Sequence, residues 1–170
     1  PKNSGTVIVK HANPCGVSIK KNHLESYKSA FTCDPVSAFG GIVSCNFKIT
    51  KLLALELSKL FLEVIVANNF DANALKILKK KKNLRLIDAS NYKVNDGLKH
   101  LSVNNEILIQ SEDLKKFTPK DLKIVSKRRP TSKELKNLIF AFNVCRYVKS
   151  NAIVLAANET TVGIGSGQPS

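Results

Sequence analysis

The sequence predicts an α/β fold in which a layer of strands, at least partly parallel, packs against helices. Short apolar runs rich in β-branched residues alternate with runs of helical period through the first half of the chain. Strands separated by helices favour parallel pairing, because each helix returns the chain to the start of the next strand. The length of 170 residues suits one compact domain or two small lobes.

The predicted elements follow this alternation. In the first half they are a strand at 6–10, a helix at 23–31, a strand at 41–45, a helix at 51–61, a strand at 64–67, a helix at 71–80 and a strand at 84–87. In the second half they are strands at 106–110 and 122–125, a helix at 132–149, and strands at 152–157 and 161–164. The Asn, Pro and Gly residues from 13 to 16 predict a turn after the first strand.

Two of the helices carry more detailed predictions. For the helix at 51–61 we expect Thr50 to be the N-cap. Its predicted apolar face consists of Leu52, Leu55 and Leu60. For the helix at 132–149 the spacing of Thr131 and Glu134 predicts a capping box. Its predicted buried residues are Leu135, Leu138, Phe142, Cys145 and Val148.

A polar stretch from 88 to about 97 interrupts the alternation and indicates a boundary between lobes. We predict a first lobe over 1–97, a connecting segment over 98–130 and the start of a second lobe over 131–170. The chain opens on Pro1 and contains no Met. We therefore expect it to be an internal fragment of a longer protein and to be inactive by itself.

The charge of the chain is strongly positive and raises the alternative of a non-catalytic domain that binds nucleic acid. The formal net charge is +14, from 27 basic and 13 acidic residues. Only four of the basic residues are arginine, and no interleaving of aromatic and basic residues suggests a surface for base stacking. Solvated lysine faces are the favoured interpretation. Such a surface would still attract small anionic molecules.

The cysteines and the hydropathy pattern indicate the compartment. Cys15, Cys33, Cys45 and Cys145 form no C-x-x-C pair, which is typical of reduced thiols in a cytoplasmic protein. No combination of ligand residues predicts a metal site. No apolar stretch approaches the roughly 20 residues that a membrane span needs, and no signal peptide is apparent. We therefore expect a cytoplasmic protein that does not bind a membrane.

The first strand ends in the pair Lys10-His11, immediately before the predicted turn. A strand fixes the position of its last residues, and a turn keeps their side chains at the rim. An ammonium and an imidazole side by side there can share proton transfer and the stabilisation of an oxyanion. The alternative is a strand that simply ends in two solvated polar residues.

Three further segments leave similar alternatives open. In the run 34–41, Phe39 can offer a flat stacking face and Gly40 a close backbone approach, or the run is a tight turn around a core phenylalanine. Asn151 lies between a helix and a strand, where a helix-terminal turn residue is the commoner role. The glycine-spaced run 163–168 lacks the spacing of a dinucleotide loop and the lysine of a P-loop. It is either a ligand loop or a tight strand exit.

Four segments in combination carry a family resemblance. They are KHANPCG (10–16), DPVSAFGG (34–41), EVIVA (63–67) and KSNAIVLAANETTVGIGSGQPS (149–170). Their order and spacing resemble the AICAR transformylase domain of the bifunctional purine biosynthesis enzyme, over essentially the whole chain. The resemblance implies a layered, cytidine-deaminase-like fold, here one complete lobe plus the beginning of a second. It also implies a homodimer with active sites at the subunit interface, and a preceding IMP cyclohydrolase domain.

The activity that the resemblance implies is formyl transfer from 10-formyltetrahydrofolate to the 5-amino group of AICAR, which gives FAICAR on the route to IMP. Lys10 and His11 match the catalytic pair of the family, and Asn151 matches the asparagine of its Ser-Asn motif. Residues matching the substrate pocket are Phe39 and Gly40, which line the nucleotide site, and Glu63, at an acidic position that contacts the base. Folate is the co-substrate, and no transition metal is implied.

The likeness to cytidine deaminases raises a hydrolytic rival. Zinc deaminases bind their metal through H-x-E and P-C-x-x-C motifs. In this sequence Asn13 stands where the first motif needs glutamate, and Ser18 stands where the second needs its second cysteine. Hydrolytic deamination is therefore disfavoured.

Overall fold

The structure is a computed structural model, and it describes residues 3–93, 97–113, 115 and 117–167. The elements in chain order are β1 (Ser4–Lys10), β2 (Asn13–Lys20), α1 (His23–Phe31), β3 (Gly41–Cys45), α2 (Lys51–Leu57), β4 (Leu62–Ala67), α3 (Ala72–Leu78), β5 (Arg85–Asp88), β6 (Leu98–Val103), β7 (Glu106–Ser111), a 3-10 turn (Pro119–Asp121), α4 (Ser132–Cys145), β8 (Ile153–Ala157) and β9 (Thr160–Gly165). The residues predicted as boundary at 94–96 and as the end of the glycine-spaced run at Gln168 lie outside the described residues.

Seven of the strands form one mixed sheet in the order β5-β4-β3-β1-β2-β9-β8. The pairs β3–β4 and β4–β5 are parallel, and α2 and α3 make the crossovers between them. The pairs β1–β2, β1–β3, β2–β9 and β8–β9 are antiparallel. The predicted α/β class with partly parallel strands is confirmed. The sheet continues from the predicted first lobe into β8 and β9, while the division into lobes stays a prediction.

Helices cover both faces of this sheet, but unequally. The helices α1, α2 and α3 share one face, where Ile8, Val43 and Ile65 form the main core with residues of all three helices. The opposite face carries α4, whose Phe140 and Val144 pack with Val17 of β2 and with the inner residues of β8. Neighbouring strand residues point to opposite faces, so β1 and β2 contribute to both cores.

The predicted buried faces of two helices are wrong in register. In α2 the buried residues are Leu53, Ala54 and Leu57, whereas Leu52 and Leu55 are exposed. The helix ends at Leu57 rather than at 61, and Leu60 beyond it is half-buried against the core. Thr50 is the N-cap, as predicted, although its side chain makes no capping bond. Packing against α3 selects the face of α2 that carries Leu53 and Leu57, which lie one turn apart. Apolar spacing alone allowed two faces.

The same correction applies to α4. Its buried residues are Phe140 and Val144, while Leu138 and Phe142 are exposed and Leu135 and Cys145 are only half-buried. The helix ends at Cys145 rather than at 149, and Val148 is buried in the turn that follows. The predicted capping box is confirmed: Thr131 Oγ1 accepts a bond from the Glu134 amide at 3.2 Å, and Glu134 Oε2 accepts one from the Thr131 amide at 2.7 Å.

Three strand predictions also differ from the structure. The segment 122–125 forms no strand. The strand β6 was not predicted, and neither was β2, which contains the Asn, Pro and Gly residues that predicted a turn. The turn is shorter and consists of His11 and Ala12 alone. Pro14 is tolerated in β2 at an irregularity of the β1–β2 register, where it lies opposite Val9.

Candidate active site

The pair Lys10-His11 lies where β1 turns into β2. Lys10 is the last residue of β1 and pairs with Asn13, so that His11 and Ala12 form a two-residue hairpin loop. Their φ angles are 51° and 62°, the arrangement of a type I′ turn, for which Asn-Gly is the preferred sequence. A residue with a Cβ costs about 1–2 kcal/mol in this region. The hairpin therefore holds an exposed imidazole at its tip in an unfavourable backbone conformation.

The ammonium of Lys10 is held by the segment that precedes β3. Its Nζ donates a hydrogen bond of 2.6 Å to the carbonyl oxygen of Phe39. The segment is itself folded by Asp34, whose Oδ1 accepts a bond from the Ser37 amide at 2.9 Å. Hydrogen bonds from the Ser37 hydroxyl and then from its amide hold the pKa of the Asp34 carboxyl below its ordinary value. Asp34 is therefore an anion at neutral pH, and it lines the same cavity as Lys10.

Gly40 leaves room for that ammonium. Its φ is +66°, a conformation that side chains rarely adopt, and its amide donates to the carbonyl oxygen of Phe61 at 2.8 Å. A Cβ added at Gly40 would lie 2.9 Å from Lys10 Nζ. The close approach that the sequence suggested at Gly40 is thus made by the lysine of the same chain.

Two exposed aromatic rings flank this position. Phe39 is 59% exposed and Phe61 is 46% exposed, and their ring centroids are 5.2 Å apart at an angle of 43°. Phe39 is therefore not a core phenylalanine. The rings offer flat apolar surface next to a cation, an arrangement suited to a planar anionic ligand.

A polar cavity of about 450 Å³ opens beside Lys10 and His11. Its lining comes from the hairpin, from the segment before β3 and from the end of β9. The lining residues are Lys10, His11, Asn13, Pro14, Cys15, Cys33, Asp34, Ser37, Gly163, Ile164 and Ser166. Gly163 lies within β9 and Ser166 just after it, so this part of the glycine-spaced run is a strand exit that also lines a cavity.

The cavity exists because β2 and β9 separate. Their backbone pairing is confined to Ser18 and Thr160. At the next position the side chain of Thr161 replaces the ladder: its Oγ1 accepts a bond from the Val17 amide at 2.9 Å and donates to the Val17 carbonyl at 3.3 Å. Beyond this point Pro14 and Cys15 face Gly163 and Ile164 across open space.

Asn151 follows two residues after Lys149, whose backbone contacts the start of β2, but Asn151 does not line the cavity as the described residues define it. Its neighbour Lys149 donates its amide to Asn13 Oδ1 at 3.0 Å and accepts a bond from the Gly167 amide at 2.9 Å. These bonds bring the exit of α4 to the same edge of the sheet as His11. The side chain of Asn151 is exposed.

Glu63 is the most separate of the predicted residues. It lies in β4 at an irregularity of the pairing with β3, two residues after Phe61, and its side chain is exposed. The structure thus brings Lys10 and His11 to one cavity, Phe39 and Gly40 into contact with Lys10, and Asn151 near the hairpin. Glu63 does not line the cavity, and its link to the site is its place in β4, two residues after Phe61.

Sequence reasoning missed several residues of this site, chiefly Asn13, Asp34, Ser37 and Phe61. Asp-Pro-x-Ser is a recognisable signal for a side-chain-bonded turn, so Asp34 and Ser37 could have been found. Asn13 was assigned to a turn, which concealed its place at the start of a strand. Phe61 was assigned to a helix that ends four residues earlier.

The two thiols of the cavity are not activated. Burial, followed by the charge of Asp34, raises the pKa of Cys15 to about 11, and burial also raises the pKa of Cys33. Both are therefore protonated at neutral pH and poor nucleophiles. All four cysteines are free of disulfide bonds, in agreement with the prediction of reduced thiols.

The described residues contain neither a candidate metal site nor a helix that could span a membrane. Over 3–93, 97–113, 115 and 117–167, no three His, Cys, Asp or Glu side chains are grouped so that they could hold a metal ion. Within the same ranges, none of the helices is long and apolar enough to cross a membrane.

The fold and the cavity define an α/β protein with a polar cavity at the strand ends of its sheet. Residues 2–170 match the family described as the AICARFT/IMPCHase bienzyme. Among curated relatives, the bifunctional purine biosynthesis protein PurH of Rhodospirillum rubrum is 49% identical over 167 residues, which are 96% of this chain and 31% of that protein. The protein of the same name from Clostridium acetobutylicum is 48% identical over 160 residues, 94% of this chain and 32% of that protein.

This chain therefore belongs to the AICARFT/IMPCHase bienzyme family, and the resemblance stated from the sequence is confirmed. A third relative, PurH of Caldicellulosiruptor saccharolyticus, is 46% identical over 163 residues. The chain spans about a third of the length of these relatives. The activity of the whole protein is accordingly a matter for the proposal that follows.

Proposed function

We propose that this chain supplies catalytic residues for formyl transfer from 10-formyltetrahydrofolate to the 5-amino group of AICAR, a step of IMP biosynthesis. The single observation that carries the proposal is the meeting of Lys10 and His11 at one polar cavity, beside two exposed aromatic rings, in a chain of this family. We further expect the complete protein to be a cytoplasmic homodimer with its sites at the subunit interface, and to carry IMP cyclohydrolase activity.

His11 is suited to take the proton that the reaction releases. The 5-amino group of AICAR is a poor nucleophile, because its lone pair is delocalised into the imidazole ring and the carboxamide. Its attack on the formyl carbon becomes easier when a proton leaves the nitrogen as the new C–N bond forms. The imidazole of His11 lies exposed at the tip of a rigid hairpin, where it can accept this proton by way of the carboxamide.

Lys10 is suited to stabilise the negative charge of the tetrahedral intermediate. An ammonium has three N–H donors, and the carbonyl of Phe39 takes one of them. The bond to Phe39 fixes the position of Nζ and leaves donors for the oxyanion that develops on the formyl oxygen. When the C–N bond to the folate breaks, the tetrahydrofolate nitrogen needs a proton, and the same ammonium can assist that step.

The remaining predicted residues would bind and orient the substrate. The rings of Phe39 and Phe61 can stack on a flat heterocycle, a contact of about 0.5–1.5 kcal/mol beyond area burial. The carboxamide of Asn151 offers both a donor and an acceptor, which can prevent rotation of the AICAR carboxamide. Glu63 can accept a bond from an N–H group of the base. Gly40 keeps the space that the ammonium occupies.

The proposal is tested by formyl transfer in the protein as its gene encodes it, with His11→Ala and a matched control. We expect His11→Ala to lower the single-turnover rate about 10²- to 10⁴-fold, the usual contribution of a general base. His100→Ala removes an exposed imidazole from β6 in the separate two-stranded sheet and should leave the rate unchanged.

Two outcomes would overturn this proposal. One is a His11→Ala rate close to that of the unaltered protein, which excludes His11 as the base. The other is an unaltered protein that forms no FAICAR. Tight DNA binding that is lost steeply with added salt, without saturable binding of AICAR, would favour the nucleic-acid alternative instead.

A further inference from the structure

The side chain of Asn13 connects two parts of the candidate site. Its Nδ2 donates to the carbonyl oxygen of His11 at 3.4 Å, within the hairpin loop. Its Oδ1 accepts a bond from the amide of Lys149, 136 positions further along the chain, at 3.0 Å. One half-buried carboxamide therefore joins the loop that carries the imidazole to the segment that carries Asn151.

The peptide of Lys149 extends this connection to β9. Its amide bonds to Asn13, and its carbonyl oxygen accepts a bond from the Gly167 amide at 2.9 Å. The hairpin loop, the exit of α4 and the end of the glycine-spaced run are thus held at one point. On the other side of the cavity, β2 and β9 pair at a single position. The gap between β2 and β9 is therefore closed at one end by the bonds of Thr161 to the Val17 backbone and at the other end by the bond between Asn13 and Lys149.

We propose that Asn13 is a positioning residue, which fixes the imidazole of His11 relative to Asn151 and so to the reacting nitrogen. The inference rests on the proposed function. His11 and Ala12 adopt a backbone conformation that costs free energy, so the loop relaxes unless something outside it holds it in place. A shift of about 1 Å in a reacting group can lower a rate about 10²-fold.

The chain offers a matched control for this residue. Asn46 forms the same pair of bonds at the opposite end of β1: its Oδ1 accepts from the Gly5 amide at 2.8 Å, and its Nδ2 donates to the Asn3 carbonyl at 3.4 Å. Asn46 lies outside the cavity lining. Replacement of either residue by alanine removes one bond that the side-chain oxygen accepts and one that the side-chain nitrogen donates, at opposite ends of β1, and only Asn13 lines the cavity.

The experiment compares Asn13→Ala, Asn13→Asp and Asn46→Ala in the protein as its gene encodes it. We expect Asn13→Ala to lower kcat about 10- to 100-fold with little change in the KM for AICAR, and Asn46→Ala to leave both unchanged. Asn13→Asp keeps the oxygen that accepts from Lys149 but lacks the donor to the His11 carbonyl, so we expect it to recover only part of the kcat that Asn13→Ala loses.

A kcat for Asn13→Ala equal to that of Asn46→Ala would overturn the inference. Amide hydrogen exchange separates this inference from the proposed function. Exchange at the peptide containing Lys149 should accelerate about tenfold or more in Asn13→Ala and not in Asn46→Ala. If the unaltered protein forms no FAICAR, the proposed function is wrong, but hydrogen exchange still tests whether Asn13 holds the Lys149 peptide. Unchanged exchange at the Lys149 peptide in Asn13→Ala would show that Asn13 does not hold this peptide, whatever the activity of the variant.

Discussion

The two parts of the seven-stranded sheet are joined in different ways. From β2 through β1 and β3 to β5, neighbouring strands pair over four or more positions. Between β2 and β9 the backbone pairs at Ser18 and Thr160 alone, and hydroxyl groups replace the ladder. Ser18 Oγ and Thr160 Oγ1 are 3.0 Å apart, and Thr161 Oγ1 bonds both polar groups of the Val17 backbone.

The two parts of the sheet therefore differ in what they allow: the continuously paired part supports the stability of the fold, and the joint between β2 and β9 leaves room for a ligand. A continuous ladder fills the space between two strands with backbone hydrogen bonds and leaves none for a ligand. A joint made by hydroxyls at one end anchors β9 and still allows the strands to diverge over their remaining length. The cavity with Lys10 and His11 lies in that divergence. The continuous part of the sheet provides the supported strand end from which Lys10 and His11 project.

The largest effect is expected from Gly16→Ala, in the continuously paired part. A Cβ at Gly16 would overlap the carbonyl oxygen of Ala30, so α1 and β2 would have to move apart. We expect a loss of at least about 3 kcal/mol in the free energy of unfolding, measured by denaturant or thermal unfolding.

The matched control is Gly163→Ala in β9, across the gap from β2. A Cβ there meets nothing closer than Leu155 Cδ1 at 3.8 Å, and we expect stability to change by less than about 1 kcal/mol. Equal losses in the two variants would contradict the comparison, since they would show β9 to be as tightly constrained as β2.

An intermediate effect is expected from Thr161→Val, at the joint itself. The substitution keeps the shape of the side chain and leaves the amide and carbonyl of Val17 buried without their partner. We expect a loss of about 1–3 kcal/mol in the free energy of unfolding. Thr161→Ser keeps the oxygen and should retain more of the stability. A Thr161→Val protein as stable as Thr161→Ser would show that the hydroxyl does not join the strands.

The smallest effect is expected at the start of α4, the helix that packs on β8. Hydrogen bonds from Arg128 and then from Thr131 lower the pKa of Glu134 from 4.5 to about 2. Because the folded pKa is depressed, the ionised carboxylate stabilises the fold above about pH 4.5, and this contribution is lost as the pH falls towards 2. Glu134→Gln should therefore lower the thermal midpoint at pH 7 and have no effect near pH 2. A difference that persists at pH 2 would contradict this assignment.

Much of the fold could be predicted from local sequence. The helix α1 was predicted with the bounds that the structure shows, as was β3. In the structure the side chain of Asn22 caps the start of α1, and Gly40-Gly41 marks the start of β3. The buried faces of α2 and α4 could not be predicted, since several leucine and phenylalanine spacings were acceptable in isolation. Their choice depends on α3 and on Val17, which are distant in the sequence.

The candidate site was predictable only in part, for the same reason. The strand end at Lys10 follows from local pattern, whereas the turn was predicted over 13–16 and lies at His11 and Ala12. The structure places both Lys10 and His11 on a cavity. Three features of the site involve segments that are 29 or more positions apart in the chain. They are the contact of Lys10 with Phe39, the bond from Lys149 to Asn13 and the divergence of β2 from β9. No local signal in the sequence encodes such contacts. The roles of the predicted site residues all stay predictions.

A crystal structure of the protein, as its gene encodes it, with AICAR bound would test the proposed site most directly. We expect AICAR to occupy the gap between β2 and β9, with its 5-amino and carboxamide groups within hydrogen-bond distance of His11 and Asn151 and with Lys10 beside the position of the formyl group. AICAR bound at a different place, with this gap empty and no contact to His11, would contradict this expectation.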